Sequence, residues 1–200
     1  MQLTDRTLII RARQGDMNAF AELVETYKDK IYGFLYRMTG SREDASDLLQ
    51  EVFLRVYNNL HAFDETMRFS PWIYRIAQNL AVDHLRKRRN MVYLDEPTGE
   101  GGDMYWQLES PEPGPEAIVE FEDFRGSLAG ALGNLPPIYK AVLLLRFVQG
   151  LSYEDIARSL DLPLTTVKTR LHRAREALRQ SLVKQGYFEE SQGGTKIGMS

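Results

Sequence analysis

The sequence contains no cysteine among its 200 residues. It therefore cannot form disulfide bonds, use a thiol nucleophile or hold zinc through cysteine, and this composition fits a cytoplasmic protein. No apolar run approaches the roughly 20 residues that a membrane-spanning helix needs. The opening stretch MQLTDRTLIIRARQGD carries charge too early for a signal peptide. These absences predict a cytoplasmic protein.

Residue patterns for catalysis or metal binding are also scarce. The three histidines, His61, His84 and His172, are far apart and lack the spacing of metal ligands. The glycine-rich stretch TGEGGD lacks the lysine of a phosphate-binding loop, and no pairing of a nucleophile with a base stands out. We therefore expect no metal, no cofactor, no small-molecule substrate and no catalytic residue, which predicts that the chain is not an enzyme.

Helical periodicity dominates the residues that are present. Apolar residues make up 43% of the chain, enough for a packed core. They recur in steps of three and four over residues 20–38, 45–60 and 72–85, and no strand-like alternation interrupts them. Ser41 and Ser70 stand where helix N-caps are expected. The pattern predicts an all-α protein whose first half is a compact helical bundle.

Charge divides the chain into three blocks, although the net charge is only -3. Residues 55–90 hold seven basic and three acidic side chains, and residues 158–184 hold seven basic and two acidic ones. Residues 91–124 hold ten acidic side chains and no lysine or arginine, and they are rich in glycine and proline. This composition indicates two basic helical domains joined by an acidic, flexible linker.

The second basic block has the pattern of a helix-turn-helix. In LSYEDIARSLDLPLTTVKTRLHRAREALR, at 151–179, Ser152 and Asp155 form a capping-box pair and LDLP supplies a short turn. In the second helix the residues that repeat at core spacing are Val167, Leu171, Ala174 and Leu178. The opposite face carries Thr166, Thr169, Arg170 and Arg173, flanked by Lys168 and His172. Such a face suits the major groove of duplex DNA.

The helix predicted after Ser70 offers a second basic face. It presents Arg75, Asn79, Asp83 and Arg86 opposite its apolar stripe, and the short loop FDETMRF precedes it. Aromatic side chains beside basic ones suit single-stranded nucleic acid. Taken alone, Trp72 and Tyr74 fit core aromatics better than stacking platforms.

These observations leave three function classes open. One is a protein that binds DNA through both basic domains. A second is a stand-alone helix-turn-helix regulator of duplex operators, which would need a dimerisation surface or an effector pocket. A third is a helical adaptor whose basic faces bind protein or acidic lipid, which only the general charge pattern supports.

Three segments in order carry a specific resemblance: DASDLLQEVFLRVY, FSPWIYRIAQNLAVDHLRKRR and the helix-turn-helix segment above. Together they resemble the extracytoplasmic-function (ECF) sigma factors of the bacterial sigma-70 family, over about residues 15–184. Within this group the sequence is most similar to the sigma-W-like members of envelope-stress responses. The resemblance implies a protein that directs RNA polymerase to promoters.

The resemblance also implies roles for particular residues. It implies docking on the β′ clamp of core RNA polymerase through Asp44, Asp47, Gln50 and Glu51. It implies the β flap of the polymerase as a further contact. It implies capture of the unpaired −10 strand of the promoter by Asp64, Glu65, Thr66, Met67, Arg68, Trp72, Arg75, Asn79 and Arg86. It implies recognition of the −35 duplex by Thr165, Thr166, Lys168, Thr169, Arg170, His172 and Arg173.

Further partners and boundaries follow from the same resemblance. We expect promoter DNA and a membrane-anchored anti-sigma factor as partners, the latter able to hold the protein at the inner face of the membrane. The expected boundaries are a region 2 domain at 1–93, an acidic linker at 94–124, a region 4 domain at 125–185 and a flexible tail at 186–200. The sequence leaves open whether the two domains pack against each other.

Two departures from the family pattern qualify the resemblance. Family members often carry a small residue such as glycine where Thr165 stands, so we expect the −35 contact at that position to differ. The linker differs most from the family, so no residue-level role is transferred to it.

Overall fold

The computed structural model describes residues 5–92 and 115–188, with side chains at 5–88 and 123–188. This part of the chain is helical and contains no strand, which confirms the predicted all-α fold. A 3₁₀ turn at Leu60–Ala62 and a π-helical turn at Leu144–Val148 follow the third and sixth helices. The helices are α1 (Asp5–Arg13), α2 (Met17–Thr39), α3 (Arg42–Asn59), α4 (Phe69–Val92), α5 (Pro115–Gly133), α6 (Pro137–Leu143), α7 (Tyr153–Leu160) and α8 (Leu164–Lys184).

The N-terminal domain is a bundle of α1 to α4 whose core follows the predicted stripes. On α2 the side chains of Leu23, Ile31, Phe34 and Leu35 are fully buried, and α3 and α4 supply the facing surfaces. Gly40 ends α2 with a φ of 75°, a left-handed conformation that glycine adopts without a steric penalty. The chain can therefore reverse and start α3 two residues later.

Helix N-caps form at two of the three serines expected to supply them. The Ser41 hydroxyl accepts from the backbone N–H of Asp44 at 3.2 Å, and the Ser152 hydroxyl accepts from that of Asp155 at 3.0 Å. The carboxylate of Asp44 pairs with Arg88 of α4, and that of Asp155 pairs with Arg68 of the loop before α4 and with Arg158 of its own helix. Helix α4 begins at Phe69, so Ser70 lies inside its first turn rather than before it.

The C-terminal domain packs α5, α6 and α7 around α8. The break predicted at LPP lies between α5 and α6, with Pro137 at the first position of α6. Asp161 ends α7 with a φ of 53°, and α8 begins three residues later, which confirms the short turn of the helix-turn-helix. Val167, Leu171 and Ala174 of α8 are buried against the other helices.

The two domains pack directly against each other, which answers the question that the sequence left open. Helix α4 contacts α7 and α6, and α2 contacts α6. Lys140 of α6 is 7% exposed, and its Nζ lies 3.4 Å from the carbonyl oxygen of Met38 and 3.3 Å from that of Gly133. These carbonyls lie at the C-terminal ends of α2 and α5, where a cation is favoured by the helix dipole. Burial lowers the pKa of Lys140.

The expected linker lies largely outside the described residues, at 93–114, and so does most of the expected tail, at 189–200. Helix α5 begins at Pro115, within the segment expected as linker. The domain boundaries stay a prediction.

Replacing Phe34 by alanine should destabilise the N-terminal domain by about 3–5 kcal/mol, because a fully buried aromatic ring leaves a cavity. Urea unfolding followed by circular dichroism measures the change. The matched control on the same helix is Glu22→Ala, an exposed position, which should change the free energy of unfolding by less than about 0.5 kcal/mol. Equal effects of the two substitutions would contradict the predicted core.

Candidate nucleic-acid interface

The outer face of α8 is available to a ligand. Five of the seven residues expected to recognise the −35 duplex have exposed side chains: Thr165, Lys168, Thr169, His172 and Arg173. They lie opposite the buried stripe of the same helix, as the periodicity predicted. Thr166 and Arg170 are half-buried and lie at the edge of this face. The second helix of the helix-turn-helix therefore presents a polar and basic surface to solvent.

A groove between α3 and α4 gathers part of the second predicted set. Its volume is about 340 Å³, and Trp72, Arg75 and Asn79 of α4 line one side. Ile76 of α4 also lines it, and the other side is formed by Arg55 and Asn59 of α3 and Ala62 of the turn after it. Cationic, amide and aromatic groups thus converge in one open groove, a combination that suits phosphates and unpaired bases. Arg86 lies two turns beyond Asn79, outside the groove, and pairs with Asp83 at 3.2 Å.

Trp72 takes part in both the core and the groove. Its ring centroid lies 5.0 Å from that of Phe63 and 5.5 Å from that of Phe69, both of which are buried. The side chain is half-buried, so one part of the ring packs inward while another part faces the groove. The aromatic packing indicates a fixed ring.

The loop Asp64–Arg68 is ordered by its own side chains and by α1. The Asp64 carboxylate accepts from the backbone N–H of Thr66 at 2.9 Å and from its hydroxyl at 2.8 Å, and these bonds hold the pKa of Asp64 below its ordinary value. Glu65 pairs with Arg13 of α1. Met67 and Arg68 remain exposed. The loop therefore has a fixed base and two projecting side chains.

Two of the cations expected to bind the −10 strand pair with carboxylates of the C-terminal domain. Arg68 Nη1 lies 2.6 Å from Asp155 Oδ2, and Arg75 Nη2 lies 3.4 Å from Asp161 Oδ2. Asp155 is 2% exposed at its side chain and also pairs with Arg158 at 2.9 Å. These pairs place acidic groups of α7 and its C-terminal turn against two guanidinium groups that are expected to bind the −10 strand.

A neutral hydrogen bond accompanies these ion pairs. The Tyr74 hydroxyl donates to the side-chain oxygen of Gln149 across the domain interface. Tyr74 is 2% exposed, and burial raises its pKa, so the hydroxyl keeps its proton and can act as a donor. Tyr74 is therefore a core residue, in agreement with the expectation from the sequence.

The four residues expected to dock on polymerase fall into two pairs. Asp47 and Gln50 are exposed on α3. Asp44 lies 3.0 Å from Arg88 and 3.2 Å from His84, both on α4, and Glu51 pairs with Arg55 at 2.7 Å. The structure thus gives Asp44 an internal partner that the sequence did not indicate.

The described residues also bear on other ligands. Within 5–92 and 115–188 no group of three or more histidine, aspartate or glutamate side chains is arranged to hold a metal ion. No helix in the same ranges has the length and hydropathy required to span a bilayer.

Comparison with known families agrees with the two domains. The family described as Sigma-70 region 2 matches residues 23–91, and the family described as Sigma-70, region 4 matches residues 125–178. The first range holds the groove and the loop, and the second holds the helix-turn-helix. The fold and both surfaces therefore define a protein of the sigma-70 class.

Curated relatives narrow the class. The chain is 41% identical over 184 residues to the ECF RNA polymerase sigma factor SigW of Bacillus subtilis. The aligned region covers 91% of this chain and 98% of the relative. It is 37% identical over 185 residues to the ECF RNA polymerase sigma-E factor of Haemophilus influenzae, covering 90% and 96%. The chain belongs to the ECF sigma factors. Sigma factors bind core RNA polymerase and promoter DNA.

Solved structures share the fold. CnrH in complex with the cytosolic domain of CnrY matches with a TM-score of 0.64 at 23% identity, covering 90% of this chain and 97% of that one. The sigma factor RpoE in complex with the anti-sigma factor NepR from Bartonella quintana matches with a TM-score of 0.65 at 20% identity, covering 82% and 96%. Both similarities extend over the two helical domains.

Sequence reasoning missed three residues around the second surface. Arg55 and Asn59 line the groove, and their spacing of four residues on the polar face of α3 was a usable signal. Arg13 pairs with Glu65 of the loop from a helix 52 residues earlier in the chain, and nothing in the sequence around Arg13 indicates this. Long-range partners of this kind are set by packing.

Exposure separates two roles among the predicted docking residues. Asp47→Ala should weaken the binding of core RNA polymerase without changing the melting temperature, because Asp47 is exposed. Asp44→Ala should reduce the free energy of unfolding by about 1 kcal/mol, because it removes the partner of Arg88. Calorimetry and polymerase titration measure the two effects. Loss of stability from Asp47→Ala, or none from Asp44→Ala, would contradict this division.

Proposed function

We propose that this ECF sigma factor uses α8 to bind the −35 duplex and uses the α3–α4 groove with the loop Asp64–Arg68 to capture the unpaired −10 strand. The observation that carries the proposal is the presence of two separate polar surfaces, one on each domain, each backed by a buried stripe. One surface is convex and helical, and the other is concave. Duplex DNA fits the first and splayed bases fit the second.

The composition of the α8 face supports recognition of base edges in the major groove. Arg173 and Lys168 can donate to guanine, and Thr169 and His172 can contact bases or phosphates. Thr169 donates to the backbone carbonyl of Thr165 at 2.9 Å, which orients its hydroxyl along the helix. Thr165 has an exposed side chain at the N-terminal end of α8 and is proposed as a contact of the same surface.

The groove supports capture of a strand that has left the duplex. Unstacking a base costs a few kcal/mol, which pocket contacts and stacking can offset. Asn79 offers an amide to a base edge, while Arg75 offers charge to a phosphate. Trp72 offers the groove-facing part of its ring.

Strand binding requires the domains to separate locally. Arg68 and Arg75 can bind phosphates once their partners Asp155 and Asp161 have moved away. Because Asp155 is buried between two arginines, its exposure to water has to accompany that movement. We propose that binding of core polymerase supplies the open arrangement.

We also propose contacts with core RNA polymerase, a location in the cytoplasm and regulation by an anti-sigma factor. Asp47 and Gln50 are proposed to contact the β′ clamp, while Asp44 ties α3 to α4 through Arg88 and Glu51 pairs with Arg55 of its own helix. The region 4 domain is proposed to contact the β flap. The chain is proposed to be a non-catalytic initiation subunit in the cytoplasm, because the polymerase performs the chemistry. Two structural neighbours are complexes with CnrY and with an anti-sigma factor, which supports regulation by an anti-sigma factor, proposed to be membrane-anchored.

Arg173→Ala should weaken binding to a −35 duplex by about 1–3 kcal/mol if the guanidinium contacts a base. The duplex is selected first from a randomised library, and affinity is measured by fluorescence anisotropy at several salt concentrations. The matched control Arg175→Ala removes the same charge from an exposed position of α8 outside the predicted set. Equal losses on selected and scrambled duplexes would assign Arg173 to a phosphate instead.

Asn79→Ala should impair promoter opening while leaving −35 binding intact, because Asn79 lies in the groove of the other domain. Transcription in vitro with core RNA polymerase from the organism that encodes the chain, with permanganate footprinting, measures opening. The control Gln78→Ala changes a neighbouring amide outside the groove. If core polymerase gains no promoter-specific initiation from the unaltered chain, the proposed function itself fails.

A further inference from the structure

Arg13 is the link between α1 and the loop that is proposed to capture the −10 strand. Its Nε donates to the carbonyl oxygen of Leu60 at 2.8 Å, its Nη2 donates to that of Phe63, and its Nη1 pairs with Glu65. All three nitrogens of the guanidinium are therefore engaged. The side chain is 21% exposed. One arginine thus holds three points along a six-residue stretch.

The two carbonyls that Arg13 binds lie where α3 ends. Residue Leu60 opens the 3₁₀ turn after α3, and Phe63 follows that turn. The last carbonyls of a helix lack intrahelical partners and carry the negative end of the helix dipole, so a cation is favoured there. Arg13, from 47 residues earlier in the chain, adds a cationic donor to the Leu60 carbonyl, which also accepts from the backbone N–H of Phe63 at 3.2 Å. It fixes the direction in which the chain leaves α3 and enters the loop.

Helix α1 is itself fixed against the bundle near both of its ends. Leu8 and Ile9 are buried, and the Tyr27 hydroxyl donates to Asp5 at 2.5 Å. Near the other end, Arg11 binds Asp16, the N-cap of α2, at 2.6 Å, and this bond holds the pKa of Asp16 below its ordinary value. A rigid helix therefore supports Arg13, so the position of Arg13 is transmitted to the loop.

The rest of the loop depends on these anchors. Phe63 is 5% exposed and Glu65 is half-buried, whereas Met67 is exposed and Arg68 reaches out to pair with Asp155 of the C-terminal domain. The loop is short, and the Asp64–Thr66 turn sets its curvature. Where its first half is fixed, its second half has few conformations left, and the cost of ordering it on binding is reduced.

We propose that Arg13 is a positioning residue for promoter recognition, which fixes the conformation of the loop Asp64–Arg68 without touching DNA. This inference rests on the proposed capture of the −10 strand. It assigns to α1, a helix outside the ranges of both matched families, a part in the choice of sequence. Without Arg13 the loop samples other conformations, and discrimination between the correct strand and other strands falls.

The test uses the full chain bound to core RNA polymerase. Wild-type holoenzyme first selects a −10 strand from promoters randomised in that element, and binding of the selected strand and of a scrambled strand is then measured. Arg13→Ala should lower affinity for the selected strand about tenfold, or about 1.4 kcal/mol, and leave affinity for the scrambled strand unchanged. The salt dependence of binding should also stay unchanged, because no phosphate contact is lost.

The matched control is Arg6→Ala. Arg6 lies on the same helix, is 73% exposed at its side chain, and approaches Glu65 only to 4.0 Å. It should keep the discrimination of the unaltered chain. Hydrogen exchange at the backbone amides of Thr66 and Met67 gives a second measurement, and Arg13→Ala should accelerate it while Arg6→Ala should not.

A conservative variant separates the effect of misfolding from the loss of loop positioning. Arg13→Lys keeps the charge, but a single ammonium lacks the planar fork that spans three acceptors, so it should recover stability and only part of the discrimination. Full discrimination by Arg13→Ala, or an equal loss on selected and scrambled strands, would overturn the inference. If wild-type holoenzyme selects no −10 strand, the proposed function fails before the role of Arg13 is reached.

Discussion

The burial of α4 is the constraint on which the other features depend. Ile73, Ala77 and Ala81 are 0% exposed, and the helix contacts α2 and α3 in its own domain and α6 and α7 in the other. The small side chains of Ala77 and Ala81 allow close approach, while the Tyr74 ring lies against Phe34 at 5.5 Å. What remains of the surface of α4 is a strip with Arg75 and Asn79. Its polar groups are therefore held in fixed positions by packing on the other sides.

Electrostatics then decides which groups are free to bind a partner. Two aspartates, Asp44 and Asp155, stand at the third position of a helix, where their backbone N–H groups bind the capping serines. Their carboxylates reach arginines on other elements, and so tie α3 to α4 and the C-terminal domain to the loop. Pairing with a guanidinium joins two opposite charges and so links one element to another, which a carboxylate bound back to its own N-cap would not do. A net charge of -3 gives no indication of them.

Much of the fold could be predicted from the sequence, because apolar helical stripes and helix ends are set by residues close to one another in the chain. The stripes on α2 and α8 are buried as predicted, and Gly40 and Asp161 end helices where the pattern changes. The polar face of α8 could be predicted for the same reason, since it lies opposite a buried stripe of the same helix. Only part of the groove could be predicted. Asn79 followed from the periodicity of α4, whereas Arg55 comes from a different helix.

The sequence by itself determined an all-α chain with two basic helical domains, the helix-turn-helix with its outward face, and membership of a family, because these depend on periodicity, composition and short motifs. Tertiary structure alone decided that Arg13 holds the loop, that Asp44 faces Arg88, and that Asp155 faces Arg68. The physical reason is the sequence separation of these partners. Pairs that are 44 to 87 residues apart form only after packing has fixed the helices that carry them.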